Sequence, residues 1–393
     1  MGSTRFRLHA VERRLWRFVR GDDYDRNDGV CRAAPEWLVL CINNFCNLHC
    51  KMCDVGLGET GTAFYANLIG DDPRNMSREL LLQVLDQAIS FSPPPRVGFA
   101  YTEPLLHRGI VDFCREATNR RLYTSITTNG YLLPALAEPL VESGLEHITI
   151  SVDGPSEVHA RVRGSEDSFE RLYVGVERLQ EARRRRGRKT PRVQFSYTIT
   201  DENYTDMVRF VRDIAPLTPD SLSFSHLNFV TTEMANTHNT AFRDPELRVA
   251  RSNLGTMDLH RIDLDALWSE LVALQELASR ARSWDFTIVP DLSRREDLDV
   301  YYREPLRFVG GRRCTDPWRM MLIETDGSVV PAHGRCFHAI MGRLTEEPLD
   351  DIWNSSRLAN FRKILKEHGG TLPACARCCG VIGKKKTSEE NPD

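Results

Sequence analysis

A chain of 393 residues with 41% hydrophobic residues has enough apolar material to bury a core, which excludes disorder as a description of most of it. A formal net charge of −3 gives no overall field that would draw the molecule to nucleic acid or acidic lipid. No run of about 18 apolar residues appears, so no membrane-spanning helix is expected and the protein reads as soluble and cytoplasmic.

In chain order, residues 1–35 predict a helical preamble that is basic and amphipathic but lacks the apolar core of a secretion signal. From Trp37 a strand-then-helix rhythm begins. Strand-like runs stand at WLVLCIN (37–43), VGFAY (97–101), YTSITT (123–128), HITISVD (147–153), VQFSYTI (193–199) and SLSFSHLNFV (221–230), with helix-like segments between them. Parallel strands need long crossovers, so this alternation predicts an α/β fold with a helix-covered parallel sheet. The strands read as apolar nearly throughout, as doubly covered strands do. Closure as a partial (β/α)6 TIM-like barrel over 36–230 follows from the repeat. The arginine run at 183–186 ends a helix, where cations suit the C-terminal dipole, and no aromatic platform accompanies it. Residues 231–312 lose the rhythm and read as a linker over the barrel mouth with one good helix. A small cysteine-bearing unit with a hairpin at Asp326-Gly327 follows over 313–383, and 384–393 reads as a disordered tail.

The chemistry is concentrated in the 11 cysteines. Cys46, Cys50 and Cys53 fall directly after the first strand, at the end where barrel sites are built. Three thiolates can hold three irons of a cubane and leave the fourth open to a substrate. Zinc is the alternative, with His49 as a fourth ligand, but its usual knuckle is C-x2-C in pairs. The string CNLHCKMC matches CxxxCxΦC with Met52 at the Φ position. On this string the chain resembles radical S-adenosylmethionine (SAM) enzymes, and the likeness continues from about Trp37 to Val230. Glu103-Pro104 resembles the end of the family's GGEP stretch, with both glycines replaced, and the resemblance puts Glu103 near the SAM amino group. Thr127-Thr128-Asn129-Gly130 resembles the TNG end of strand three. Ser151 and Asp153 resemble the SxDG end of strand four, and Arg163-Gly164 follows it. The resemblance implies that Ser151 and Arg163 hold the SAM carboxylate, and that a [4Fe–4S] cluster binds SAM.

Near the C-terminus, Cys314, Cys336, Cys375 and Cys378 surround the hairpin in text that resembles the Twitch (SPASM-like) iron–sulfur extension of these enzymes. The resemblance implies a second, auxiliary [4Fe–4S] cluster on those four thiols, with Cys379 a substitute for Cys378. A four-cysteine zinc knuckle is the alternative.

The resemblance further implies a 5′-deoxyadenosyl radical that abstracts hydrogen, and a flavodoxin- or ferredoxin-type reductant as partner. For the second half of the reaction we expect oxidation of an alcohol carbon in a small sugar or aminocyclitol, as in antibiotic-pathway radical SAM dehydrogenases. The auxiliary cluster then takes the electron, and His226, Glu233 or His238 takes the proton. Peptide modification is a second expectation, disfavoured because the 36 residues before the first strand cannot hold a separate leader-binding domain. Epimerisation is a third, disfavoured because no cysteine lies between 115 and 313 to return hydrogen.

Overall fold

The computed structural model describes residues 23–69, 74–280, 285–309 and 313–382. Most of the expected helical preamble (1–22) and the whole of the expected tail (384–393) lie outside the described residues.

One ten-stranded sheet organises the chain. Its strands are β1 (Trp37–Leu40), β2 (Arg96–Phe99), β3 (Thr124–Thr128), β4 (His147–Ser151), β5 (Arg192–Ile199), β6 (Ser221–His226), β7 (Asp285–Val289), β8 (Met320–Ile323), β9 (Ser328–Val330) and β10 (Gly342–Arg343). Their spatial order is β10-β9-β8-β1-β2-β3-β4-β5-β6-β7. Strands β1 to β6 pair in parallel and in sequence order, as right-handed helix crossovers require.

One expectation needs correction and another needs an addition. The stretch 231–312 is more than a connection, because β7 adds a further parallel strand beside β6, with Phe224 opposite Ile288. The C-terminal iron–sulfur unit, expected as a small domain, also shares the sheet of the first. Strand β8 pairs in parallel with β1, from Trp37 opposite Met320 to Leu40 opposite Ile323, and the hairpin at Asp326-Gly327 then turns β9 back.

A second correction bears on the site. Strands β3 to β6 are covered by helices on one face only, and their burial alternates residue by residue. The covered face carries Ile126, Ile148, Ile150, Phe195, Tyr197 and Phe224, all at most 1% exposed. There Tyr197 and Phe224 lie 5.2 Å apart, Phe210 of the helix Met207–Ile214 packs 5.2 Å from Tyr197, and Phe286 of β7 lies 5.5 Å from Phe224. Each such side chain contributes ~1.5–3 kcal/mol by leaving water. The other face is hydroxylic. Thr127, Thr149 and Gln194 form one row across the strands, Ser151, Ser196 and Ser223 a second, and Thr198 and Ser225 a third. These positions are half-buried, because they line the open lumen of an incomplete barrel.

Candidate active site

The triad loop leaves β1 at its C-terminal end. Cys53 N donates to Cys50 O at 3.0 Å, so these two thiols lie across one turn, and Cys53 caps the short helix Asp54–Leu57. Asn129, just past β3, brings Nδ2 to 3.9 Å from Cys46 Sγ. Arg163, ending the helix Ser156–Arg163, brings a guanidinium nitrogen to 3.7 Å from Cys50 Sγ. Gly164 follows in the left-handed region (φ +68°), where a Cβ would stand 2.8 Å from His49 O. Only glycine lets this turn rest against the cluster loop.

Burial pushes the Cys46 thiol up to about 11 and the Cys50 thiol to about 12. Such thiols ionise when a soft cation replaces their protons. Among the described residues no three His, Cys, Asp or Glu side chains converge on a single-ion site. A cubane is broader than one ion and takes its thiolates spread around it, so the loop fits that group. His49, the fourth ligand in the zinc alternative, instead places Nδ1 3.0 Å from Gly56 O, on the exposed side.

The remaining motif residues gather at the same strand ends. Glu103 is buried, with Oε1 accepting from Thr128 Oγ1 at 2.6 Å and Leu105 N at 3.0 Å, and Oε2 accepting from Asn129 N at 2.7 Å. Burial outweighs these donors and raises its carboxyl to about 7. The carboxylate thus ties the ends of β2 and β3 together. Thr127 and Ser151 lie in the hydroxylic rows of the lumen, and Met52 is buried in the core. Asp153 is fully buried. Its Oδ1 accepts from Thr198 N at 2.8 Å and its Oδ2 lies 2.5 Å from Arg163 Nε. Burial raises the Asp153 carboxyl, and the Arg163 charge opposes that rise.

A segment of the stretch 231–312 closes over this loop. Asp54 accepts from Ser252 Oγ at 2.5 Å and Asn253 N at 2.6 Å, and Thr256 N donates to Lys51 O at 3.2 Å. The segment 252–256 is therefore strapped onto the triad loop. A Cβ on Gly255 (φ +47°) would fall on Lys51 O.

In the C-terminal unit, Asn67 of the helix Ala63–Leu68 donates to Gly334 O and Cys336 O, both at 3.1 Å, and accepts from His338 Nδ1 at 2.8 Å. One buried amide thus joins the first domain to the Cys336 loop. Between Cys375 and Cys378, the Arg377 guanidinium donates to the carbonyls of Val300, Tyr301, Glu304 and Arg307 at 2.6–2.9 Å. It caps the C-terminal end of the helix Arg295–Arg303, where a cation suits the dipole. Burial pushes the Cys375 thiol up to about 11.

The expected proton acceptors do not gather. His226 is fully buried on the helix-covered face, 2.7 Å from Tyr302 Oη, and burial drives its pKa down to about 3. His238 holds Leu247 O at 2.7 Å and stacks on Phe242 and Phe337. Both are packing residues. Glu233 is exposed on the first turn of the helix Thr232–Ala241.

An incomplete parallel barrel with a three-thiol loop at its strand ends, joined to a second cysteine-bearing unit, defines a barrel enzyme that holds metal clusters at its mouth. Residues 40–214 match the radical SAM superfamily, and residues 314–379 match an iron–sulfur cluster-binding domain, SPASM. The chain therefore carries a radical SAM domain followed by a C-terminal SPASM domain. It is similar to the tungsten-containing aldehyde ferredoxin oxidoreductase cofactor-modifying protein of Pyrococcus furiosus, 24% identical over 368 residues, 87% of each chain. It is 28% identical to the AdoMet-dependent heme synthase of Methanosarcina barkeri over 151 residues, which are 38% of this chain and 40% of that one. In fold it is similar to SuiB of Streptococcus suis bound to S-adenosylmethionine, with TM-score 0.59, 17% identity and coverage of 90% of this chain and 75% of that one. It is also similar to anSMEcpe with bound AdoMet, at TM-score 0.55 and 16% identity, over 83% of this chain and 82% of that one. The protein is an enzyme whose cofactors are SAM on a [4Fe–4S] cluster and auxiliary iron–sulfur in the SPASM domain. Among the described residues no helix is long and apolar enough to cross a membrane.

Proposed function

We propose that this enzyme oxidises an alcohol carbon of a small polyhydroxylated substrate, a sugar or aminocyclitol of the kind found in antibiotic pathways. The observation that carries the reading is the lumen face itself. Its rows of Thr127, Thr149, Ser151, Ser196, Thr198, Ser223 and Ser225 supply hydroxyls that both donate and accept, with no fixed charge among them. Such a surface suits a neutral ring of hydroxyls better than an apolar side chain.

Cys46, Cys50 and Cys53 hold the first cluster, and Met52, Glu103, Thr127, Asn129, Ser151, Asp153 and Arg163 form the wall around SAM. When bound, SAM and its cluster supply the 5′-deoxyadenosyl radical that removes one hydrogen atom from the alcohol carbon. Cys314, Cys336, Cys375 and Cys378 would hold the auxiliary cluster, which would supply a one-electron acceptor for the oxidation of the alcohol to a carbonyl. Glu233 is exposed and can take the hydroxyl proton, whereas His226 and His238 are buried in packing. A flavodoxin- or ferredoxin-type protein serves as reductant. The match along 87% of a cofactor-modifying protein favours a second reading, in which the substrate is itself a cofactor.

The test is SAM cleavage by anaerobically reconstituted protein with dithionite. The enzyme should yield 5′-deoxyadenosine, and Cys50→Ala should abolish it. With a panel of sugars and aminocyclitols, one member should lose two hydrogen atoms by mass. A panel that neither stimulates cleavage nor changes mass would remove the substrate reading and leave the superfamily chemistry intact.

A further inference from the structure

The loop between β9 and Cys336 carries a buried histidine that the mechanism above does not use. His333 is 4% exposed, and its Nε2 lies 3.5 Å from Cys378 Sγ and 3.9 Å from Asp316 Oδ2. Both neighbours are acceptors when ionised, so the proton of a neutral imidazole belongs on Nε2. The surroundings hold the three groups together. Cys336 N donates to His333 O at 2.8 Å and fixes the turn that carries the ring. Gly380, two residues beyond Cys378, lies so close that a Cβ there would fall on Asp316 Oδ2 and come within 3.3 Å of Cys314 Sγ. Cys314, Asp316, His333 and Cys378 thus share one small nest, drawn from three separate stretches of chain.

We propose that His333 donates a hydrogen bond from Nε2 to the sulfur of Cys378 when that sulfur ligates the auxiliary cluster, and that this bond makes the cluster a better electron acceptor. The inference rests on the reading of Cys378 as a cluster ligand. An iron-bound thiolate carries excess negative charge, and the charge grows when the cluster takes an electron. A donor aimed at that sulfur stabilises the reduced state more than the oxidised one, and so raises the reduction potential. Ligand sulfurs at different corners of a cubane stand well apart. The 3.5 Å approach of Nε2 to Sγ therefore suits a donor on one ligand, not a neighbouring corner of the same cube.

The experiment is a reductive titration of the reconstituted full-length protein, followed by electron paramagnetic resonance of the auxiliary signal. His333→Phe removes the donor and keeps a ring in the space, and should shift the midpoint to lower potential with iron and sulfide content unchanged. His333→Gln retains an N–H and should stay closer to the unsubstituted protein. An unchanged midpoint in His333→Phe overturns the proposal. So does a directly bonded nitrogen coupling in the pulsed spectrum of the unsubstituted protein, which would make His333 a ligand and needs no variant to fold. Cys378→Ala separates the two layers of inference. If the auxiliary signal and its iron survive that change, the ligand reading fails first.

Discussion

At the scale of single residues, burial raises the carboxyls of Glu103, Asp153 and Glu324, and Glu324 gives a clean pH signature. Glu324 follows β8 beside a pocket of about 560 Å³ that is lined also by Asn44, Arg74, His338 and Arg343. Burial, with the Asp326 charge as a second cause, pushes its carboxyl from 4.5 up to about 8, and Oε1 has no hydrogen-bond partner. The folded chain therefore binds this proton more tightly than the unfolded chain does. The contribution to stability is complete below pH 4.5 and is lost as pH rises to about 8, at no more than ~1.4 kcal/mol per pH unit. Urea midpoints of the metal-free protein should fall between pH 6 and 8, and Glu324→Gln should flatten that fall. Equal slopes for the two proteins would show that Glu324 ionises freely in the folded state. His226 teaches a related lesson. The string SLSFSH has period two, so His226 shares a face with Leu222 and Phe224, both at most 1% exposed. That parity was present in the sequence and was enough to take His226 out of the lumen.

At the scale of elements, what was legible in the sequence was what is local. CNLHCKMC, Glu103-Pro104, the Thr127–Gly130 turn, Ser151–Gly154 and Arg163-Gly164 each lie at a strand or helix end, where a few residues set the backbone path. The strap was illegible because its partners are far apart in sequence: Asp54 meets Ser252 and Asn253 across nearly 200 residues. Strand β7 was illegible for another reason. DFTIV is short, and its polar alternate positions, Asp285 and Thr287, are exposed at the sheet edge. The strap carries its own prediction. Asp54→Ala deletes two hydrogen bonds from a carboxylate that is 1% exposed, at a cost of ~1–3 kcal/mol. Amide hydrogen exchange at Asn253 and Thr256 should quicken by tenfold or more, whereas exchange in β3 to β5 should keep its protection. Unchanged protection at Thr256 would mean that Gly255 against Lys51, rather than Asp54, fastens the segment.

At the scale of the whole molecule, the first domain and the cysteine-bearing C-terminal unit are one sheet. Strand β1 has β2 on one side and β8 on the other, so the strand that feeds the triad loop depends on residues 320–323 for half of its ladder. The packing repeats the dependence. Leu322 and Val330 are fully buried in one cluster with Val39, Phe64 and Leu68, and Asn67 of the same helix holds Gly334 and Cys336. The C-terminal unit therefore serves folding as well as the auxiliary cluster, and the two cluster loops keep a fixed relation because one strand and one helix carry both. A chain ended after Val309 would bare the β1 edge and the apolar faces of Val39, Phe64 and Leu68, a combination that invites pairing between molecules. Losing Leu322 and Val330 alone removes ~3–6 kcal/mol of burial, a large part of an ordinary domain's stability. Such a truncated chain should aggregate, or melt without a cooperative transition, and the full chain should unfold in one step by calorimetry. A soluble, monomeric truncation that melts at the temperature of the full chain would show that β1 stands without β8.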